Sequence, residues 1–313
     1  MSRYREIDLK RVQTIGIAER ESKVRISMLA KLLEKGETVS GLLKKMPSLL
    51  GSRDFLDLTD ALVQAREAGK PVLWMMGAHV IKAGLSPILI QLMDQGIVQG
   101  LALNGAGAIH DVEMALFGET SEDVSKTLIT GRFGMARETA DFLNESAIQG
   151  RNGELGLGEA LGKRLAENEG SHFEQSILAQ AYHRAIPVTV HVALGTDIVH
   201  QHASADGAAI GACSLRDFRI WTELIPGIHQ GGVVLLFGSA VILPEVFLKS
   251  LAVARNVHGP VEDFITANFD MIHHYRPRVN VLERPAGRKG YALTGHHEIM
   301  LPLLAAALID RLA

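Results

Sequence analysis

Cysteine is almost absent from this chain, since Cys213 is the single one among 313 residues. One cysteine excludes an internal disulfide and a cysteine-rich zinc site, and it favours a reducing compartment, so we expect a cytoplasmic protein. A large net charge is missing too: the value of −3 gives no basis for expecting nucleic acid or an anionic membrane as partner. The start, MSRYREIDLKRV, lacks the apolar core of a signal peptide. No apolar run is long enough to span a bilayer.

Aromatic residues are scarce, at 5% against 47% hydrophobic residues in all, so the core consists mainly of Ala, Leu, Ile and Val. Short apolar runs bounded by Gly, Pro, Asn or Asp alternate with helical patterns from residue 72 onward, which predicts a parallel sheet covered on both faces. We therefore predict an α/β fold with a doubly wound, mostly parallel, Rossmann-like sheet. The predicted strands are Val72–Met76, Ile97–Leu103, Ile186–Ala193, Val233–Phe237, Asp263–Ala267 and Val279–Leu282.

The first 70 residues have a different pattern, with apolar residues at three- and four-residue steps. This pattern predicts helices over 24–33, 39–50 and 56–68. We expect residues 1–70 to form a helical N-terminal extension and residues 71–313 to form the ligand-binding domain. The glycine-rich, charged stretch 147–170 is expected to be a surface loop.

Small and polar residues follow each predicted strand, where ligands bind in open parallel sheets. Gly105, Gly107 and Gly238 would let a phosphate approach the backbone at the start of a helix. The alternative is an ordinary tight turn between strand and helix, because close packing also selects glycine there.

Several titratable residues lie near these turns. His110, Asp111 and Glu113 could be acid and base groups, or they could belong to a first helical turn where acidic side chains bond free amides. The spacing Asp197-x-x-His200-x-His202 could supply metal ligands, but no further ligand pattern accompanies it, and we expect no metal site.

The order of segments in residues 70–313 resembles the deoxyhypusine synthase family and its NAD-binding relatives. The segments are GAHVIKAG, NGAGAIHD, PVTVHVALGTDIVHQH, VVLLFGSAV, FITANFD and EIMLPLLAAALI. HDVEMALFG is also similar to a segment of related bacterial proteins assigned to ornithine or lysine-ketoglutarate chemistry.

The resemblance implies a doubly wound fold, NAD as cofactor and a homotetramer with sites at subunit contacts. It implies NAD contacts at Gly77, Ala78, His79, Asn104, Gly105, Gly107, Asp111, Asp197, Gly238, Ser239, Thr266, Ala267, Gly295 and His296.

The chain departs from the synthases where their catalytic lysine should lie. The synthases carry that lysine in a Trp-Gly-Lys segment, whereas the matching stretch 276–285 has neither tryptophan nor lysine. Lys289 is the nearest lysine. The carboxylates that hold a polyamine in the family are mostly replaced as well, so we expect deoxyhypusine synthesis to be lost.

Three functional hypotheses remain open from the sequence. The first is an NAD-dependent enzyme that oxidises a small amine or amino acid to an imine, with His110 or His273 as base and Asp197 as orienting carboxylate. The second is a true deoxyhypusine synthase that forms its imine on Lys289. The third is a nonenzymatic NAD-binding sensor or assembly protein.

Overall fold

A six-stranded parallel sheet forms the centre of the computed structural model, which describes residues 2–168, 172–285, 287 and 289–312. The strand order is β3-β2-β1-β4-β5-β6, and every neighbouring pair is parallel. This topology confirms the predicted doubly wound α/β fold. The strands are β1 (Val72–Met76), β2 (Gly100–Asn104), β3 (Val188–His191), β4 (Val233–Phe237), β5 (Ile265–Asp270) and β6 (Lys289–Thr294).

Helices cover both faces of the sheet. In the described part of the chain, no helix is long and apolar enough to cross a membrane. The helices are α1 (Val39–Lys45), α2 (Leu50–Glu67), α3 (His79–Lys82), α4 (Ser86–Asp94), α5 (Gly105–Phe117), α6 (Val124–Ile129), α7 (Arg137–Asn152), α8 (Leu157–Asn168), α9 (Ile177–His183), α10 (Gly207–Leu224), α11 (Ile242–His258) and α12 (His297–Leu312).

The core has two layers because alternate residues of each strand point to opposite faces of the sheet. On one face Phe237 stacks between Trp74 and Phe269, with ring centroids 5.3 and 4.3 Å away. On the other face Phe247 and Phe264 pack under the sheet together with α10 and α11. Strands β1, β3, β4 and β5 are buried throughout, Asn104 at the end of β2 is half-buried, and β6 is partly exposed at the edge.

The prediction for the last strand was wrong. Residues 279–282 belong to a π-helix, Pro277–Glu283, and the sixth strand is Lys289–Thr294. In this edge strand Tyr291 and Leu293 are buried and alternate with exposed residues, so a search for continuous apolar runs passes over it.

The stretch 147–170 was also predicted wrongly, because its described part is helical. It covers the end of α7 and all of α8, and its glycines lie at close packing contacts. A β-carbon at Gly150 would lie 2.9 Å from the β-carbon of Ala160, and one at Gly158 would overlap the carbonyl of Val188.

The N-terminal segment forms less helix than predicted. Residues 24–33 contain only the single 3-10 turn Ile26–Met28, and residues 2–27 are all exposed. A helix of about ten residues is marginal in water without a surface to pack on. The two other predicted helices form as α1, which ends before Pro47, and as α2.

A glycine crevice and an acidic cavity form the candidate active site

Two glycines bring the ends of β1 and β4 into contact. The N–H of Gly77 donates to the carbonyl of Phe237 at 2.8 Å, and a β-carbon at Gly77 would overlap the carbonyl oxygen of Gly238. Gly238 has a φ of +61°, in the left-handed region. A β-carbon there would lie 2.6 Å from Nε2 of His297. The strand order reverses between β1 and β4, and sheets of this topology have their ligand crevice at that point.

Seven of the residues predicted to contact NAD border this crevice. These residues follow β1, β4 and β6. His297, the first residue of α12, lies against Gly238. We name this group the glycine crevice: Gly77, Ala78, His79, Gly238, Ser239, Gly295 and His296.

His297 lies deeper in the glycine crevice than its neighbour His296, which sequence analysis had favoured. His297 is 1% exposed, and its ring centroid lies 5.7 Å from that of His79. Burial lowers the pKa of His297, opposed by the nearby Asp270 carboxylate. Its Nδ1 has no hydrogen-bond partner within the described residues. Such an atom normally finds one, so the crevice fits a polar ligand such as a dinucleotide.

A second feature is a cavity of about 880 Å³ along the outer face of α5, which falls within the volume range of small-molecule sites. We call it the acidic cavity because carboxylates dominate its charged lining. Ala106, Ile109 and His110 form its floor, and α3 contributes Lys82 to its wall. Its charged and titratable residues are Lys82, His110, Glu113, Glu119, Glu122, Glu138 and Asp197.

Four side chains in this cavity form a hydrogen-bonded relay. The Thr120 hydroxyl donates to Oε2 of Glu113, and Thr139 donates to Oε1 of Glu113 at 3.0 Å. Thr120 Oγ1 also lies 2.6 Å from Nδ1 of His110. Because the Thr120 proton is already used, Nδ1 of His110 must be the donor to Thr120. Neutral His110 therefore carries its proton on Nδ1 and keeps Nε2 as a free acceptor.

The electrostatics of the relay keep His110 able to accept a proton. Burial lowers the pKa of His110, Glu113 raises it and Lys82 lowers it again. Glu113 is the carboxylate next to His110, with Oε2 3.9 Å from Nδ1, whereas Asp197 was the carboxylate predicted to orient the base. The spacing of Glu113 from His110 is one helical turn, which is the signal that could have identified it.

Asp197 also lines the acidic cavity, and its carboxylate lies over the first turn of α5. A β-carbon at Gly105 would overlap the Asp197 carboxylate, and burial raises the Asp197 pKa. The side chain of Asn104 accepts the N–H of Gly107 at 2.9 Å. A carboxylate and a helix cap thus occupy the turn where a phosphate was predicted. The Asp197 carboxylate can instead accept hydrogen bonds from hydroxyl groups, such as those of a ribose.

Three of the predicted NAD contacts are buried by other parts of the chain. Asp111 is fully buried and accepts bonds from Ser176 and the first amides of α9, so it is a helix cap. Thr266 and Ala267 pair with Val234 and Leu235 in the middle of the sheet, at 3% and 0% exposure.

The structure places Lys289 at the end of β6 opposite to the glycine crevice. It begins β6, about 16 Å from the carboxyl end of that strand. Its ammonium group lies 3.4 Å from Asp54 and 3.5 Å from Asp57, and 4.3 Å from the centroid of the Tyr291 ring.

His273 lies near the ends of β5 and β6 and bonds Thr294 at 2.7 Å. It is outside the acidic cavity. The structure thus places the two candidate bases, His110 and His273, in different places. Within the described residues, no cluster of three or more His, Cys, Asp or Glu could hold a metal ion.

Comparisons with known proteins agree with the fold. Residues 57–136 match a family model described as arginine dihydrolase ArgZ-like, C-terminal, Rossmann fold. No curated protein matches the chain.

Solved structures share the fold at low sequence identity. A conserved protein of Methanococcus maripaludis S2, provisionally assigned as LOR/SDH, has a TM-score of 0.51 at 14% identity, with 89% of this chain and 72% of that chain covered. AgrE, solved as a ternary complex with ornithine and NAD+, has a TM-score of 0.55 at 14% identity, with 85% and 34% covered. A protein provisionally assigned as a deoxyhypusine synthase from Entamoeba histolytica has a TM-score of 0.52 at 12% identity, with 88% and 94% covered. The chain therefore spans about a third of AgrE.

Proposed function

We propose that this chain is an NAD-dependent enzyme that oxidises a small cationic amine or amino acid to an imine within one turnover. The observation that carries the proposal is the pairing of the acidic cavity with the glycine crevice. Helix α3 borders both, since His79 lies beside His297 and Lys82 lines the cavity. A cofactor and a substrate bound in the two places would be neighbours.

The charge of the cavity selects the substrate class. Five carboxylates and one lysine line the cavity. Glu113 and Asp197 are half-buried, so solvent screens their attraction for a cation least. A protonated amine fits this lining, whereas a phosphate or a dicarboxylic acid would be repelled. Lys82 can bind the carboxylate of an amino acid substrate.

The glycine crevice allows the close backbone approach that a dinucleotide needs, His297 offers a ring nitrogen without a partner among the described residues, and Asp197 can accept ribose hydroxyls. When bound there, NAD would accept a hydride from the substrate carbon next to nitrogen. The His110 Nε2 atom takes the proton of the substrate N–H as the C=N bond forms. Glu113 and Thr120 hold the His110 ring and stabilise its protonated form.

Two further features belong to this proposal. The AgrE complex with ornithine and NAD+ supports the pairing of a cationic amino acid with this cofactor. We also assign NAD binding to residues 71–313 and treat residues 1–70 as an extension. We expect a homotetramer, since the exposed apolar side chains of the N-terminal segment have no partner within one chain among the described residues.

The test is rapid mixing of the NAD-loaded protein with cationic, neutral and dicarboxylic amino acids and with diamines. We expect reduced nicotinamide only with the cationic compounds. His110→Asn should abolish it while NAD binding persists, whereas His297→Asn should weaken NAD binding itself. NAD binding without oxidation of any amine would contradict the proposal and favour a sensor.

Deoxyhypusine synthesis has its own test. The protein is incubated with spermidine, NAD and a translation-factor precursor, reduced with borohydride and weighed intact. We expect no adduct, because Arg284 and Pro285 stand where the lysine should lie, and an arginine stays protonated and cannot form the imine. An enzyme adduct that disappears in Lys289→Arg would overturn this assignment.

A further inference from the structure

A second cavity, of about 550 Å³, lies at the end of α12 opposite to the glycine crevice. Helix α12 begins at His297, which lies against Gly238. Its last turn reaches this cavity, about 20 Å further along the helix axis. The cavity volume falls within the range of small-molecule sites. We call it the basic cavity, after its charged lining residues Lys31, Lys44, Asp310 and Arg311.

Positive charge is in excess in the basic cavity. Lys31, Lys44 and Arg311 line it together with a single carboxylate, Asp310. Arg311 also bonds Asp60, but Lys31 and Lys44 form no ion pair within the described part of the chain. Two ammonium groups that share a cavity without a counter-charge favour an anionic ligand.

Free hydroxyl groups accompany the two lysines. Ser27 and Ser48 line the basic cavity, and their side chains form no hydrogen bond with any described residue. Ser40 differs from them, because its hydroxyl donates to Asp310 at 2.7 Å. Ammonium and hydroxyl donors together suit an anion whose oxygens accept several hydrogen bonds at once, as phosphate does.

The start of α2 borders the same cavity and also favours an anion. Ser48 lies just before this helix, and no side chain caps its first amides, which can therefore donate to a ligand. In the first turn, Oγ of Ser52 is buried and has no partner within the described residues, although such atoms normally have one. Leu56 lies one turn further along the same helix face and lines the cavity.

Helix ends explain some of these cations but not all of them. Lys44 and Arg311 lie in the last turns of α1 and α12, where a cation stabilises a helix without any ligand. Lys31 lies outside any helix, and its backbone N–H donates to the carbonyl of Lys45 at 2.9 Å. The place of Lys31 and of the free hydroxyls in the lining therefore has no such explanation.

We propose that the basic cavity binds a small organic phosphate. The phosphate group accepts hydrogen bonds from Lys31, Lys44 and the start of α2. The organic part packs on the apolar wall of the cavity, which Leu43, Leu56 and Ala307 form. This inference does not rest on the proposed amine oxidation, because the basic cavity shares no lining residue with the acidic cavity.

The test is calorimetric titration of the wild-type protein with phenyl phosphate at constant ionic strength. We expect saturable binding, and Lys31→Gln/Lys44→Gln should raise the Kd about tenfold, because hydrogen bonds from charged groups are lost. The charge-matched control is Lys23→Gln/Lys35→Gln, which removes two lysines of the same segment that do not line the cavity. Equal effects of the two double variants, or no binding to the wild type at millimolar phenyl phosphate, would overturn the proposal.

Two further measurements separate the basic cavity from the glycine crevice. Gly77→Ala should bind phenyl phosphate as the wild type does, and loss of binding in this variant alone would place the phosphate in the crevice and overturn the proposal. Phenyl phosphate should also slow amide hydrogen exchange in residues 50–53, the first turn of α2. Unchanged exchange there would contradict the proposal, as would equal affinity for inorganic phosphate, which leaves the apolar wall uncovered.

Discussion

Replacing Asp111 by Asn tests its assignment as a buried cap rather than a cofactor ligand. The Asp111 carboxylate accepts the Ser176 hydroxyl at 2.6 Å and the amides of Ile177 and Leu178 at 2.7 and 3.0 Å. These bonds favour the charged form, but burial outweighs them and raises the Asp111 pKa to about 6 from the ordinary 3.8.

A pKa raised in the folded state makes stability fall as pH rises. The contribution of Asp111 to the free energy of unfolding is fully present below the unfolded pKa and is lost as pH passes through about 6. Across the whole titration the free energy of unfolding falls by about 3 kcal/mol, and about 2 kcal/mol of this is lost between about pH 4.5 and 7. Asp111→Asn lacks this ionisation, so the wild type should lose that much stability relative to the variant.

The assay is urea unfolding of both proteins across this pH range at one protein concentration. Asp206→Asn is the control, because Asp206 caps α10 in the same way from an exposed position. NAD should bind Asp111→Asn as it binds the wild type. A stability difference between wild type and Asp111→Asn that does not change with pH, or a variant that folds but no longer binds NAD, would refute the reasoning.

Two other predictions concern the relay and the glycine crevice. Because His110 must be neutral to act as base, kcat/KM should fall at acidic pH through a pKa below the ordinary histidine value. Glu113→Gln should shift this acidic fall in kcat/KM to lower pH, and Lys82→Met should shift it to higher pH. A pH profile that neither variant shifts would contradict the relay. Gly77→Ala should cost about 2 kcal/mol through overpacking and weaken NAD binding in calorimetric titration. Gly211→Ala, in open space on α10, should cost nothing, and equal effects of the two would argue against the crevice.

The sheet could be predicted from sequence because buried parallel strands are continuous apolar runs. Strand β4 was predicted with its observed bounds for this reason. Strand β6 alternates buried and exposed residues at the sheet edge, and its pattern carries little signal. Glycines at helix contacts, such as Gly150, have the same sequence signature as loop glycines, and only the packing partner distinguishes them.

The site was less predictable because it depends on how loops return to the sheet. Gly118, with a φ of +74°, ends α5 and turns the chain so that Thr120 comes back to His110. No local sequence pattern predicts the contact between Thr120 and His110. Asp111 and His297 are buried because they lie on the helix face that packs on the core. A shift of one residue, as from His297 to His296, places a side chain on a different face.

The central claim is a hydride step on a cationic substrate, and isotope transfer tests it most directly. A cationic amino acid bearing deuterium on the carbon next to its amino group is mixed with NAD-loaded protein, and the nicotinamide is trapped during turnover and weighed. If hydride passes from this carbon to NAD, the reduced nicotinamide should contain deuterium with the wild type and none with His110→Asn. Reduced nicotinamide without deuterium, or substrate turnover with no reduced nicotinamide at any time, would contradict it.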